Sequence, residues 1–109
     1  MSLPITVLMT VYNSEKFLEE SIKSVLSQSF SNFEFIIVND GSSDRSLQII
    51  QDFEKQDKRI RIIDKKNTGV THSLNCGLVL AKGDWIARID ADDICDINRF
   101  KIQYEKTLN

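Results

Sequence analysis

The sequence predicts an α/β domain with a mostly parallel sheet and flanking helices, on three observations. Short apolar, β-branched runs alternate four times with longer stretches of helical periodicity. Each run closes in a polar turn or loop. The fourth run, Trp85 to Ile89, ends abruptly in Asp90-Ala-Asp-Asp93, three carboxylates among four residues. Strands separated by helical stretches build βαβ units, whose sheet is parallel and whose helices cover its faces.

Each element has its own justification. Ile5 to Val11 is apolar and β-branched, a buried first strand. Tyr12-Asn-Ser14 ends it, Asn13 or Ser14 is suited to cap the next helix, and Glu15 favours its N-terminal end. Phe17, Leu18, Ile22, Val25 and Leu26 recur at helical spacing, and this helix fades between Ser27 and Phe30. Phe33 to Val38 is a second strand, closed by Asn39-Asp-Gly-Ser-Ser-Asp44, which supplies a turn and then a cap. Leu47, Ile50 and Phe53 place an apolar stripe on a second helix that ends near Asp57. Arg59 to Asp64 alternates Ile60 and Ile62 with charge, a third strand, and Asn67-Thr-Gly69 is a turn. A third helix from about Thr71 to Ala81 carries Leu74, Leu78 and Leu80, and Lys82-Gly83 ends it. After the fourth strand, a last amphipathic helix begins beyond Asp96, with Phe100 and Tyr104 four apart.

At 109 residues the chain is one domain or part of one. It is 41% hydrophobic and 28% charged with a single Pro, the composition of a folded chain rather than a disordered one. A net charge of −2 and a pI near 5.3 argue against an electrostatic nucleic-acid or membrane binder. The basic group Lys55, Lys58, Arg59, Arg61, Lys65 and Lys66 reads as a solvated helix end and loop. Cys76 and Cys95 fit no paired zinc or redox spacing and read as reduced residues of a cytoplasmic protein. His72 and Cys76 would share a helix face, but a structural zinc needs four ligands and no second pair is present. No apolar run approaches the ~20 residues that cross a bilayer. The domain is read as residues 4–109, with Met1-Ser-Leu3 set aside as a leftover of expression.

In a parallel sheet the loops leaving the strand C-terminal ends open on one edge, where ligands bind. Here they are Thr10 to Asn13, Asn39 to Asp44, Asp64 to Gly69 and Asp90 to Asp93, so an aromatic, several carboxylates and a pair of lysines are expected to face one crevice. If the fourth strand stays extended, Asp90 and Asp92 point the same way. Paired carboxylates repel unless a cation, proton or donor compensates, and oxygen-only ligands suit Mg²⁺ or Mn²⁺ with bound phosphates. The alternative is an acidic loop capping the following helix. Tyr12 is suited to stack on a base or merely to cover the sheet end. Asp40 is suited to accept from a base N–H or a ribose hydroxyl, or simply to form a turn with Gly41. Neither G-x-G-x-x-G after the first strand nor G-x-x-x-x-G-K-[ST] occurs, which speaks against a dinucleotide-binding domain or a P-loop NTPase.

The runs Val7 to Asn13, Ser24 to Phe30, Phe35 to Asp44, Asn67-Thr-Gly69, Leu74-Asn-Cys-Gly77 and Ala81 to Asp93 span nearly the whole chain. In order and spacing they resemble the N-terminal half of a family 2 glycosyltransferase of the GT-A fold. That resemblance implies a truncated, Rossmann-like nucleotide-diphospho-sugar transferase fold and a nucleotide-diphospho-sugar donor, most often a UDP-sugar. It also implies a divalent metal, Mn²⁺ or Mg²⁺, and a saccharide or lipid-linked acceptor, as in polysaccharide biosynthesis. Thr10, Tyr12, Asp40 and Asn67 would hold the nucleotide, with Tyr12 near the base. The DxD motif maps on Asp90-Ala-Asp92: Asp90 would face the ribose or nucleotide and Asp92 the metal, with Asp93 an extra carboxylate able to take either role.

By the same resemblance the reaction inverts the anomeric centre, with an Asp or Glu base from the acceptor-binding half. That base is expected downstream of Asn109, so no catalytic residue is assigned within the chain, and these residues alone are not expected to turn over substrate. The rival reading is a catalytically incomplete module that holds a nucleotide sugar or a partner subunit. A sugar nucleotidyltransferase would carry a Gly- and Arg-rich loop after strand one, and a receiver-type domain would carry acidic residues there; Thr10-Val-Tyr-Asn13 is neither. The expected location is cytoplasmic, with room for membrane association of a full-length protein. A surface left open by truncation would favour self-association.

Overall fold

A computed structural model describes residues 3–108. Along the chain lie β1 (Leu3–Val11), α1 (Glu15–Leu26), β2 (Phe33–Asp40), α2 (Ser46–Gln56), β3 (Ile60–Lys65), α3 (Val70–Leu80), β4 (Gly83–Asp90) and α4 (Arg99–Thr107). The strands form one parallel sheet in the order β3-β2-β1-β4. The α/β class and all eight elements agree with the sequence reading. Met1, Ser2 and Asn109 lie outside the described residues. Leu3, set aside with Met1 and Ser2, already pairs with Gly83 as part of β1.

Register decides what meets at the strand ends. Thr10 pairs with Val38 on one side and Asp90 on the other, while Asp40 pairs with Lys65. β2 is buried at all eight positions because it has a neighbour on each side and helices on both faces. Its odd-numbered residues Phe33, Phe35 and Ile37 join Val7, Met9, Ile89, Leu18, Ile22, Val25, Ile50 and Phe100 in the larger core. Ile36 and Val38 join Leu8 in a smaller one, against Leu74 of α3. Each large apolar side chain so buried contributes roughly 1.5–3 kcal/mol.

Two local expectations change. β2 runs on through Asp40 rather than stopping at Val38, because Asn39 and Asp40 find partners in Asp64 and Lys65. Gly83 does not end α3; Ala81 occupies the cap position in an extended conformation. Gly83 opens β4, donating its N–H to Thr6 Oγ1 at 2.8 Å, and a β-carbon there would run into the Thr6 backbone. Thr6 in turn donates to Glu34 Oε2 at 2.6 Å, and the Lys82 N–H donates to the same oxygen. These bonds tie the α3–β4 junction to the sheet end remote from the site. No described helix is long and apolar enough to cross a membrane.

Candidate functional site

At the C-terminal ends of β1, β2 and β4 lies a crevice of about 520 Å³, lined by Thr10, Tyr12, Asp40, Asn67, Asp90 and Asp92 among others. These are the expected site residues except Asp93, drawn from four separate loops or strand ends. Tyr12 is 54% exposed.

The acidic group is gathered by a turn, not by strand alternation. β4 ends at Asp90, and Ala91 and Asp92 form the turn. The Asp93 N–H donates to Asp90 O at 3.0 Å, and Asp93 Oδ2 accepts from the Asp90 N–H at 3.0 Å. The period-2 argument for Asp90 with Asp92 therefore fails, yet ligand oxygens of Asp90, Asp92 and Asp93 lie within 4.8 Å of one another. All three side chains are exposed, and the Arg88 guanidinium stands 3.9 Å from Asp90 Oδ1. Three close carboxylates with oxygen donors only fit a hard divalent cation that retains water and binds phosphate.

α1, with Gln28 just past its end, holds this turn and the segment that follows it. Ser21 Oγ donates to Asp90 O at 3.3 Å, Ser24 Oγ accepts from the Cys95 N–H at 3.0 Å, and Gln28 Nε2 donates to Asp96 O at 2.6 Å. Ser21 and Ser24, three apart on α1, and Gln28 just past its end were the available signal for this role, and the sequence reading did not use it.

Asp40 is buried and already engaged. Oδ1 accepts from Lys65 Nζ at 2.7 Å and from the Thr68 N–H at 2.9 Å, and Oδ2 accepts from the Gly69 N–H at 3.1 Å. Burial alone would raise its pKa, but the Lys65 ammonium and the Thr68 amide together outweigh it and hold the carboxyl at about 2. Gly69 has φ +97°, a backbone that favours glycine, and this bend turns its N–H to Asp40. Asn67 lines the crevice while its Nδ2 donates to Asp40 O at 3.1 Å.

The expected pair of lysines does not face the crevice. Lys65 Nζ is consumed by Asp40, Lys66 O, Thr68 Oγ1 and Ser73 Oγ, and Lys66 lines a separate groove beside Gly41 and Asp64. His72 pairs through Nδ1 with Thr68 Oγ1 at 2.6 Å, Cys76 is half-buried and Cys95 is buried.

A family model described as glycosyl transferase family 2 matches residues 6–108. The chain is 45% identical over 91 residues to an uncharacterized glycosyltransferase of Haemophilus influenzae, covering 83% of this chain and 28% of that protein. It is 37% identical over 107 residues to glycosyltransferase GlyG of Streptococcus pneumoniae, covering 97% and 36%. Thus it spans about a third of the length of such relatives. Among solved structures, residues 1–349 of S. aureus TarS in complex with UDP-GlcNAc superpose with a TM-score of 0.87 at 27% identity, covering 94% of this chain and 30% of that one. The mannosyltransferase PcManGT of Pyrobaculum calidifontis, in complex with GDP-Man and Mn²⁺, shares the fold with a TM-score of 0.82 at 20% identity, covering 88% and 30%.

Proposed function

The chain belongs to glycosyl transferase family 2, and we propose that its strand-end crevice is the donor site of an inverting, metal-dependent transferase. The donor is a nucleotide-diphospho-sugar, with UDP the favoured nucleotide, and the acceptor a hydroxyl of a saccharide or lipid-linked glycan. One observation carries this reading: Thr10, Tyr12, Asp40, Asn67, Asp90 and Asp92 come from separate segments and line a single crevice. The UDP-GlcNAc complex of TarS, a protein of the same fold, supports a uridine donor.

In this reading Tyr12 stacks on the base, Thr10 and Asn67 bound the nucleotide, and Asp40 offers an ionised acceptor to a base or ribose donor. Asp90 faces the ribose, and Asp92 holds Mn²⁺ or Mg²⁺. Such an ion, when bound, neutralises the diphosphate and steadies it as a leaving group. Asp93 is spent on the Asp90 amide through one oxygen, which makes it the lesser ligand.

Residues 4–109 are then the donor-binding part of a catalytic domain, and they bind donor without transferring sugar. The base that deprotonates the acceptor comes from beyond Asn109. The work belongs to polysaccharide biosynthesis on the cytoplasmic side, where activated sugars are made.

Calorimetric titration of UDP, with and without Mn²⁺, beside an Asp92→Ala variant tests the reading. Binding that requires Mn²⁺ and is lost in the variant is expected. No binding of UDP or any other nucleoside diphosphate by the folded protein would sink it.

A further inference from the structure

We propose that Lys65 is a positioning residue of the nucleotide site, one that never touches the nucleotide but fixes how Asp40 meets it. The inference rests on the donor-site reading above and adds a residue to which that reading gives no role.

An ionised carboxylate offers about four acceptor directions, two on each oxygen. On Asp40, Oδ1 is filled by Lys65 Nζ and the Thr68 N–H, Oδ2 takes the Gly69 N–H, and the Ser73 hydroxyl also acts on the carboxyl. One direction on Oδ2 is left for a ligand donor in the crevice that Asp40 lines. An ammonium has three protons, and Lys65 Nζ faces four acceptors: Asp40 Oδ1, Lys66 O, Thr68 Oγ1 and Ser73 Oγ. No proton is left free for a phosphate in this arrangement, which points to a supporting role rather than a ligand one.

What the ammonium does is hold three segments in register. It joins the end of β2 (Asp40), the 66–68 loop and the first turn of α3 (Ser73). Lys65 and Asp40 are 14% and 6% exposed, so water can replace neither partner cheaply. Without Lys65, Asp40 gains a second open direction, loses its cation and becomes easier to protonate. A protonated Asp40 donates where the site needs an acceptor.

Other charged groups near Asp40 are few. His72 on α3 reaches Lys65 only through Thr68 Oγ1, Asp90 and Asp92 stand at the β4 end of the crevice, and β1 presents the uncharged Thr10. An acid effect on Asp40 must therefore be separated from His72.

The test titrates UDP with Mn²⁺ into the wild-type protein, Lys65→Met, Lys65→Arg and Lys65→Met/Asp40→Asn, from pH 7.5 down to 4. Lys65→Met should weaken UDP about tenfold at pH 7.5, as expected for a lost charge-assisted bond. The ratio to wild type at each pH cancels protonation of the UDP phosphate. That ratio should widen as pH falls, Lys65→Arg should restore most of the affinity, and the widening should vanish in the Asp40→Asn background. A merely structural lysine would give a pH-independent loss. If Lys65→Met does not fold, Lys65→Gln is expected to show the same acid limb. Wild-type binding with a flat ratio overturns the inference alone; no wild-type binding overturns it together with the donor-site reading.

Discussion

Asp44 and Glu15 cap each other's helices across the sheet edge. Asp44 Oδ2 accepts from the Glu15 N–H at 3.2 Å at the start of α1, and Glu15 Oε2 accepts from the Arg45 N–H at 3.1 Å at the start of α2. Asp44 Oδ1 also accepts from the Ser46 N–H at 2.9 Å. Neither Asn13 nor Ser14 caps α1 with its side chain; Asn13 Oδ1 instead accepts from the Ser43 N–H at 2.8 Å. The loop after β1, which lines the crevice, is therefore stitched to the loop after β2.

Asp44→Ala strips acceptors from two helix starts at once and should cost about 1–2 kcal/mol. Glu15→Ala should cost less, and the double variant less than the sum, because the two acidic side chains belong to one network. Urea unfolding of the three variants measures this; strict additivity would mean the caps act independently.

Asp92→Asn should abolish Mn²⁺-dependent UDP binding, whereas Asp93→Asn should weaken it by less than about tenfold. The difference follows from the turn, in which Asp93 Oδ2 faces the Asp90 amide while Asp92 lines the crevice. Equal losses in both variants would show Asp93 to be a full ligand.

Acid should destabilise the fold. Asp40, Asp44, Glu34 and Asp57 all have lowered pKa values. For the first three, burial is the largest influence and acts upward; hydrogen bonds outweigh it at Asp44, and hydrogen bonds together with Lys65 and Arg61 outweigh it at Asp40 and Glu34, while for Asp57 the Arg59 hydrogen bond leads. A folded pKa below the unfolded one stabilises above the unfolded value, about 4, and that contribution is lost as pH falls through the folded value. For Asp40 that value is about 2. Stability by circular dichroism in urea should thus decline from about pH 4 toward 2; a rise over that window would contradict the assignment.

Gly83→Ala should destabilise by about 1–3 kcal/mol through overpacking against the Thr6 backbone. Its effect should not resemble loss of a helix cap: α3 should keep its helicity by circular dichroism while the urea midpoint drops. A neutral substitution would mean that the β1–β4 contact gives way easily.

Self-association should appear at high concentration. β4 has one strand neighbour among the described residues, and Trp85 and Ile86 on it are 54% and 43% exposed. Beside them runs an apolar groove of about 340 Å³ against Tyr104 of α4. Light scattering across a concentration series should show association that Trp85→Lys reduces. A monomer at all concentrations would count against it.

Local chemistry alone determined four strands, four helices and the edge where the crevice stands, and it singled out Tyr12, Asp40, Asp90 and Asp92; Thr10 and Asn67 came from the family resemblance. Apolar periodicity and turn residues are properties of neighbours in sequence, so elements such as Phe33–Val38 were legible to within two residues of their ends. Tertiary structure decided which polar groups remain available. Lys65 read as a solvated lysine, yet strand register brings it to Asp40, 25 residues away, and spends all its protons. Asp93 read as an extra carboxylate able to take either role, yet the turn directs one of its oxygens back to the Asp90 amide. Gly83 read as a helix stop, yet its place is set by Thr6, 77 residues earlier. The physical reason is the same in each case: a hydrogen bond is assigned by distance in space, and residues far apart in sequence acquire that distance only once the sheet has set its register.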